Sequence, residues 1–148
     1  MGESMLLVPC TRCSAVNRIA RTRLRDAPVC GRCRHALFEG HPFALGAAGF
    51  DRHVGADRLP LLVDFWAPWC GPCLQMAPQF EAAARLLEPA VRLAKVDTEA
   101  EPALGSRFGI RSIPTLVLFA GGREIARQAG AVGSAQIVQW VRLQLPPT

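Results

Sequence analysis

The run Trp69-Cys70-Gly71-Pro72-Cys73, directly behind the apolar stretch Leu59-Pro60-Leu61-Leu62-Val63-Asp64-Phe65-Trp66, constrains this chain more than any other feature. A stretch that apolar reads as a central strand covered on both faces, and Pro72, with its fixed φ and missing N–H, suits the first turn of a helix. The two thiols then fall at a strand-to-helix junction, Cys70 at the helix N-terminus and Cys73 one turn inside it. Unpaired N–H groups and the positive end of the helix dipole favour a thiolate at Cys70, and the thiolate is the species that attacks a disulfide. Cys73, facing inward, keeps a higher pKa and acts second. The same spacing makes half of a zinc site, but a junction flanked by Trp66 and Trp69 argues against a zinc knuckle here.

Two further pairs lie upstream, Cys10-Thr11-Arg12-Cys13 and Cys30-Gly31-Arg32-Cys33, separated by sixteen residues. That spacing reads as a four-sulfur tetrahedral site for one structural Zn2+, each pair in a tight knuckle, with Gly31 expected to supply the permissive backbone of the second. A segment this short cannot bury enough surface to fold alone, so the metal acts as its core. Two redox-active pairs, or a site in which His35 replaces Cys33, are the alternatives; His35, His41 and His53 otherwise read as surface residues. All six cysteines fall in pairs of this spacing, which suits metal and redox chemistry in a reducing compartment. No apolar run approaches a membrane span, and Met1 to Val8 lacks a basic segment and a long apolar core, so a cytoplasmic protein without a membrane partner is expected.

Charge is unevenly spread. Residues 1–38 carry seven arginines against Glu3 and Asp26, a balance of +5, while the remainder is neutral. A basic zinc ribbon is a recurring nucleic-acid module, so a binding module for nucleic acid or protein, with the dithiol reporting redox state, is the alternative function. No aromatic residue is interleaved with Arg18 to Arg25 to stack on bases, which argues against nucleic acid.

Glu39-Gly40-His41-Pro42 reads as a linker. Beyond it the pattern predicts a short strand at Phe43 to Leu45, a weak helix over 49–56 and the strand over 61–66. A long helix over 73–87, kinked by Pro78 and closed by Glu88-Pro89, and a parallel strand over 91–96 follow. Thr98 to Glu101 has the spacing of a capping box for a helix to about Phe108. A hairpin joins 115–119 to 123–129 through Gly121-Gly122, and a last helix is capped by Ser134. Alternating strands and helices ending in a hairpin give an α/β layer with a mixed sheet. Asp64 lies within the buried strand, where desolvation raises a carboxylate's pKa and lets it exchange a proton with Cys73. Lys95 is the only lysine, a tunable amine where arginine would not be.

The segment Trp66-Ala67-Pro68-Trp69-Cys70-Gly71-Pro72-Cys73 resembles the active site of the thioredoxin family, and Lys95-Val96-Asp97, Ile113-Pro114-Thr115 and Gly130-Ala131-Val132-Gly133 continue the resemblance in order. The upstream cysteine pairs, with the stretch from Ser106 to Pro114, resemble the bacterial thioredoxin 2 type. The resemblance implies an α/β thioredoxin fold, a mixed central sheet flanked by helices, with a small N-terminal zinc-ribbon-like module. The expected division is 1–38 for that module, 39–42 for the linker and 43–148 for the thioredoxin domain. It also implies an aspartate at position 64 in proton relay with Lys95 as its partner, and a cis bond at Ile113-Pro114 whose free backbone receives an extended substrate. Trp69, Gly71, Pro72, Gly109 and the Gly130 to Gly133 turn surround that contact.

The function expected is protein-disulfide reduction by dithiol exchange, Cys70 attacking and Cys73 resolving. The expected partners are disulfide-containing proteins and a thioredoxin-reductase-like electron donor, and the expected state is a monomer.

Overall fold

A computed structural model of the chain describes residues 4–146. Its first element is a hairpin of β1 (Met5–Pro9) and β2 (Val16–Ala20), followed by a single 3-10 turn at Arg21–Arg23. Then come β3 (Phe43–Ala44), α1 (Ala47–His53), β4 (Leu61–Trp66), α2 (Gly71–Leu87) and β5 (Arg92–Asp97). The chain ends with α3 (Pro102–Arg107), the hairpin of β6 (Thr115–Ala120) and β7 (Arg123–Ala129), and α4 (Ser134–Gln144).

Five strands form one sheet in the order β3-β5-β4-β6-β7. β4 pairs in parallel with β5 and antiparallel with β6, so the sheet is mixed and its most apolar strand is central. Alternation along that strand sorts the core into two layers. Leu62 meets Met76 and Phe80 of α2 and Ile137 and Val141 of α4, while Leu61, Val63 and Phe65 meet Phe50 of α1 and Leu104 of α3. Each face of the sheet is thus buried by two helices, and the N-terminal end of α2 is delivered at the C-terminal end of β4.

Local chemistry corrects several sequence expectations. Thr98 does not cap α3: its hydroxyl donates to the Trp66 carbonyl at 3.0 Å, and Asp97 Oδ1 takes the N–H of Glu99 at 2.9 Å. Pro102, suited to a first helical turn, starts that helix instead, four residues later. The last helix is entered through Gly133, whose N–H donates to Gln136 Oε1 at 3.1 Å; the Ser134 N–H is taken by Gln79 of α2 at 2.9 Å. α2 runs through Pro78 without ending. The bond Ile113-Pro114 is cis, and so is Glu88-Pro89, which no sequence signal singled out.

Candidate active site and metal centre

The dithiol is built by the β4–α2 junction. Cys70 is the N-cap of α2, with extended backbone, and its Sγ accepts the N–H of Cys73 at 3.2 Å. Cys70 and Cys73 are joined as a disulfide, and both are almost completely buried. Around them, Ala67 is fully buried and Trp66 and Ile113 pack against the pair. Cys70 Sγ lies 3.8 Å from the Ile113 carbonyl, and the Pro114 carbonyl accepts the Gly130 N–H at 2.9 Å. The fold therefore draws the cysteines, the Ile113-Pro114 turn and the Gly130 turn together. Gly130 sits at φ +99, a conformation that favours glycine. Gly133 borders Gln79 of α2, and Gly71 and Pro72 form the first turn of that helix. Trp69 is 70% exposed beside the buried sulfurs, the largest apolar side chain presented there.

Asp64 is completely buried on the face of β4 that α2 covers, and neither carboxylate oxygen has a hydrogen-bond partner among the described residues. Burial pushes its carboxyl up to about 7, against the opposing pull of the Lys95 ammonium. Lys95 stands directly across from Asp64 in the β4–β5 register, with its Nζ 4.3 Å from the centre of the Trp66 ring. A carboxyl poised near neutrality on the face of β4 that α2 covers is equipped to hold or release a proton at physiological pH.

The second cluster lies in the N-terminal module. The Sγ atoms of Cys10, Cys13, Cys30 and Cys33 all lie within 4.8 Å of one another, with Cys10 to Cys33 at 3.7 Å and Cys13 to Cys30 at 3.6 Å. A tetrahedron of Zn–S bonds of about 2.3 Å has S···S edges of about 3.8 Å, so the donor set fits that ion. Four sulfurs this close cannot all ionise without a cation. Backbone hydrogen bonding, that at Cys33 first, brings Cys30 down to about 6. At Cys33 the lowering pull of the His35 backbone is outweighed by burial and the neighbouring sulfurs, which raise its thiol to about 11. The four cysteines therefore form a site suited to a structural Zn2+.

The knuckles are built alike. Arg12 and Arg32 each donate a backbone N–H to the first sulfur of their pair at 3.4 Å. The residues with left-handed backbone are Ser14 and Arg34, both at φ 68, and not Gly31 as expected. Gly31 instead gives its N–H to Asn17 Oδ1 at 2.9 Å, while Asn17 Nδ2 reaches the carbonyls of Val8 and Ala15. Asn17 thus ties the knuckles together; a single asparagine between cysteine pairs carries no sequence signal of that role.

The metal module is fastened to the other domain by Arg92, which sequence reasoning did not identify. This nearly buried guanidinium donates to the Pro9 carbonyl at 3.0 Å and the Leu37 carbonyl at 3.3 Å, so it grips both flanks of the cysteine cluster. His53, expected at the surface, is buried beside it with Nδ1 at 3.3 Å from Arg92 Nη1. Burial and then the charges of Arg92, Arg58 and Arg52 lower His53 to about 3, so it stays neutral. His35 pairs with Glu39 at 2.7 Å and is not part of the sulfur cluster.

Residues 41–143 match the family described as thioredoxin, and residues 9–35 match the one described as the N-terminal part of thioredoxin 2. The chain belongs to the thioredoxin family. Its thioredoxin domain, preceded by the four-cysteine cluster, has the organisation of the thioredoxin 2 type, and the Cys70–Cys73 pair gives it thiol-disulfide oxidoreductase activity. Among similar proteins, thioredoxin C-3 of Corynebacterium nephridii is 42% identical over 140 residues, covering 95% of this chain and 96% of that one. A chloroplastic M-type thioredoxin of Chlamydomonas reinhardtii is 37% identical over 138 residues, 93% of each chain. The solved structure of Malassezia sympodialis thioredoxin (Mala s 13) aligns with a TM-score of 0.66 at 28% identity, covering 76% of this chain and 97% of that one.

Proposed function

We propose that this chain reduces disulfides in proteins, with Cys70 as the attacking and Cys73 as the resolving thiol. The Cys70 thiolate attacks one sulfur of a substrate disulfide, forming a mixed disulfide and releasing the other sulfur as a thiolate. Cys73, giving its proton to Asp64, attacks Cys70 and frees the second substrate thiol. Two electrons from a thioredoxin-reductase-like donor then restore the dithiol. The observation that carries this assignment is the helix-capping sulfur of Cys70, which accepts the Cys73 N–H at 3.2 Å. A thiolate is stabilised there by that donor and by the helix dipole.

Asp64 is the proton relay and Lys95 biases its charge, a reading supported by the buried, unpartnered carboxyl and the cross-strand lysine. Trp69, Gly71, Pro72, Ile113, Pro114, Gly130 and Gly133 form the substrate-binding surface, supported by Ile113 packing on the sulfurs and by the Gly130 N–H on the Pro114 carbonyl beside them. The division into a zinc module over 1–38, a linker over 39–42 and a redox domain over 43–148 is supported by the apolar cluster around the cysteines, which takes only Leu59 from beyond the linker, while two other clusters fill the faces of the sheet. We assign the protein to the cytoplasm as a monomer, since paired cysteines of this kind suit a reducing compartment. Among the described residues, no helix is long and apolar enough to cross a membrane, and no membrane or nucleic-acid partner is assigned.

A turbidity assay of protein-disulfide reduction, with metal content measured on the same sample, tests the reading. Cys70→Ser should fall to the uncatalysed background, and Cys73→Ser should accumulate mixed disulfides visible on a non-reducing gel. Substantial turnover by Cys70→Ser would overturn the roles.

A further inference from the structure

The C-terminal end of α2, opposite the end that holds the dithiol, carries a groove that exchange chemistry does not use. α4 starts beside Gln79 of α2, and the two helices finish together, with Leu87 and Val141 in one apolar cluster. At their ends opens a cleft of about 350 Å³, which shares Leu86 and Arg142 with a second of about 460 Å³. Leu87, Val91 and Val141 line the first cleft, and Leu86 and Leu143 stand 59% and 75% exposed along the pair. Two guanidiniums border the first cleft: Arg142 from the last turn of α4, and Arg25 from the zinc module. Among the described residues neither forms an ion pair, and no carboxylate lines either cleft. The seventeen residues of α2 span about 25 Å, so a ligand here leaves the exchange face free.

We propose that this groove docks an acidic amphipathic segment of a partner protein, its apolar side chains on the leucine and valine floor and its carboxylates on Arg25 and Arg142. An apolar centre with arginine at the rim is the anatomy of a protein interface. Nucleic acid fits less well, because no aromatic side chain lines the groove to stack a base. A bilayer fits less well because the guanidiniums border a recess and not a flat apolar face. With four thiolates and one Zn2+ in place the balance of residues 1–38 is still positive, at +3, and draws an acidic partner toward this end. A protein held here has its disulfides at high effective concentration near the same molecule's dithiol. The site needs both modules, since Arg25 comes from one and Arg142 from the other.

Fluorescence anisotropy on the full zinc-loaded chain tests this, with a labelled peptide that alternates leucine pairs and glutamate pairs as the probe. Saturable binding is expected, absent for the same peptide with glutamine in place of glutamate. The double variant Arg25→Glu/Arg142→Glu should bind at least about tenfold more weakly, since two repulsions replace two attractions. Leu143→Gln should weaken binding without altering the charge. Unchanged zinc content and an unchanged turbidity rate in these variants show that the exchange site is intact, so failure here is distinct from failure of the reductase reading. The proposal is overturned by absent saturation, by equal binding to the double variant, or by binding of polyadenylate or phosphatidylserine vesicles where the peptide is silent.

Discussion

Three pairs of cysteines in this chain share one spacing and reach two different fates. Each begins in the same way: the N–H four residues after the first cysteine donates to that cysteine's carbonyl, from Ser14 at 3.1 Å, Arg34 at 2.9 Å and Leu74 at 3.1 Å. They part at that donor. Ser14 and Arg34 take left-handed backbone and end the turn, while Leu74 continues into α2. The inner residue matters as well. Arg12 and Arg32 offer their N–H to the first sulfur, but Pro72 at the same place has none, and the donor becomes Cys73 itself. A knuckle turns both sulfurs outward to a point they share with another pair. A helix start turns the second sulfur onto the first.

The largest effect should follow from removing a knuckle sulfur. Cys30→Ser leaves three ligands where the module's fold depends on four, and structural zinc in small domains contributes roughly 10–16 kcal/mol. Metal should be lost, and amide protection over 5–20 with it, while β4 keeps its protection because its two cores lie elsewhere. Hydrogen exchange with elemental analysis measures both. Equal loss of protection in β4 would mean that the two regions fold as one unit.

Asp64→Asn should act on the other fate. The Asp64 carboxyl rises from its ordinary 3.8 to about 7 on folding, so the unfolded chain ionises first as pH rises. Across that window the folded state binds more protons, and stability falls with rising pH until it levels off above the folded value. Three units at about 1.4 kcal/mol each put the penalty near 4 kcal/mol at pH 8. Asparagine escapes that penalty but buries an amide without a partner, a cost of about 1–3 kcal/mol. The variant should therefore gain about 1–3 kcal/mol at pH 8 in urea unfolding and lose about 1–2 kcal/mol at pH 4, where the wild-type penalty has almost vanished and the amide cost remains. Disulfide reduction should slow about tenfold or more as the second thiol step loses its base. Unchanged kinetics at neutral pH would sink the relay.

Arg92 joins the two regions, and its removal measures how far they are coupled. Arg92→Met keeps a buried unbranched stem at the start of β5 but removes the guanidinium that stands over the Phe43 ring and leaves the Pro9 and Leu37 carbonyls without their donor. A loss of about 2 kcal/mol and faster zinc release to a chelator are expected, with turbidity rates unchanged. Zinc release at the unaltered rate would show that the cluster holds its shape without the clamp.

What was legible in the chain follows from the same contrast. Local chemistry announced itself: cysteine spacing, Pro72, the apolar run into β4 and the paired glycines of the last hairpin each act on neighbours a few residues away. Arg92 and His53 did not, because their partners lie 39 to 83 residues distant and an arginine at a strand start looks the same whether it meets water or two carbonyls. Thr98 had the spacing of a cap, yet the carbonyl of Trp66 on the neighbouring strand took its hydroxyl. Gly31 drew attention as the permissive residue of its knuckle, whereas the turn places its left-handed residue three positions later.

That last discrepancy leads to the smallest effect and the most direct test of the comparison. An L-residue held in left-handed backbone costs about 1–2 kcal/mol, and glycine avoids this while giving up about 0.5–1 kcal/mol of chain entropy. Ser14 is exposed, and its carbonyl, which accepts from Arg52 at 3.1 Å, survives the change. Ser14→Gly should therefore stabilise the module by about 0.5–1 kcal/mol, read as slower zinc loss and a later urea transition at saturating zinc. Leu74→Gly, at the matching position of the dithiol, enters a helix and should destabilise by about 1 kcal/mol. Opposite signs at equivalent positions are what backbone handedness requires. The same sign at both would mean that the surroundings of the pairs, and not the residue that follows them, decide whether two cysteines hold a metal or hold each other.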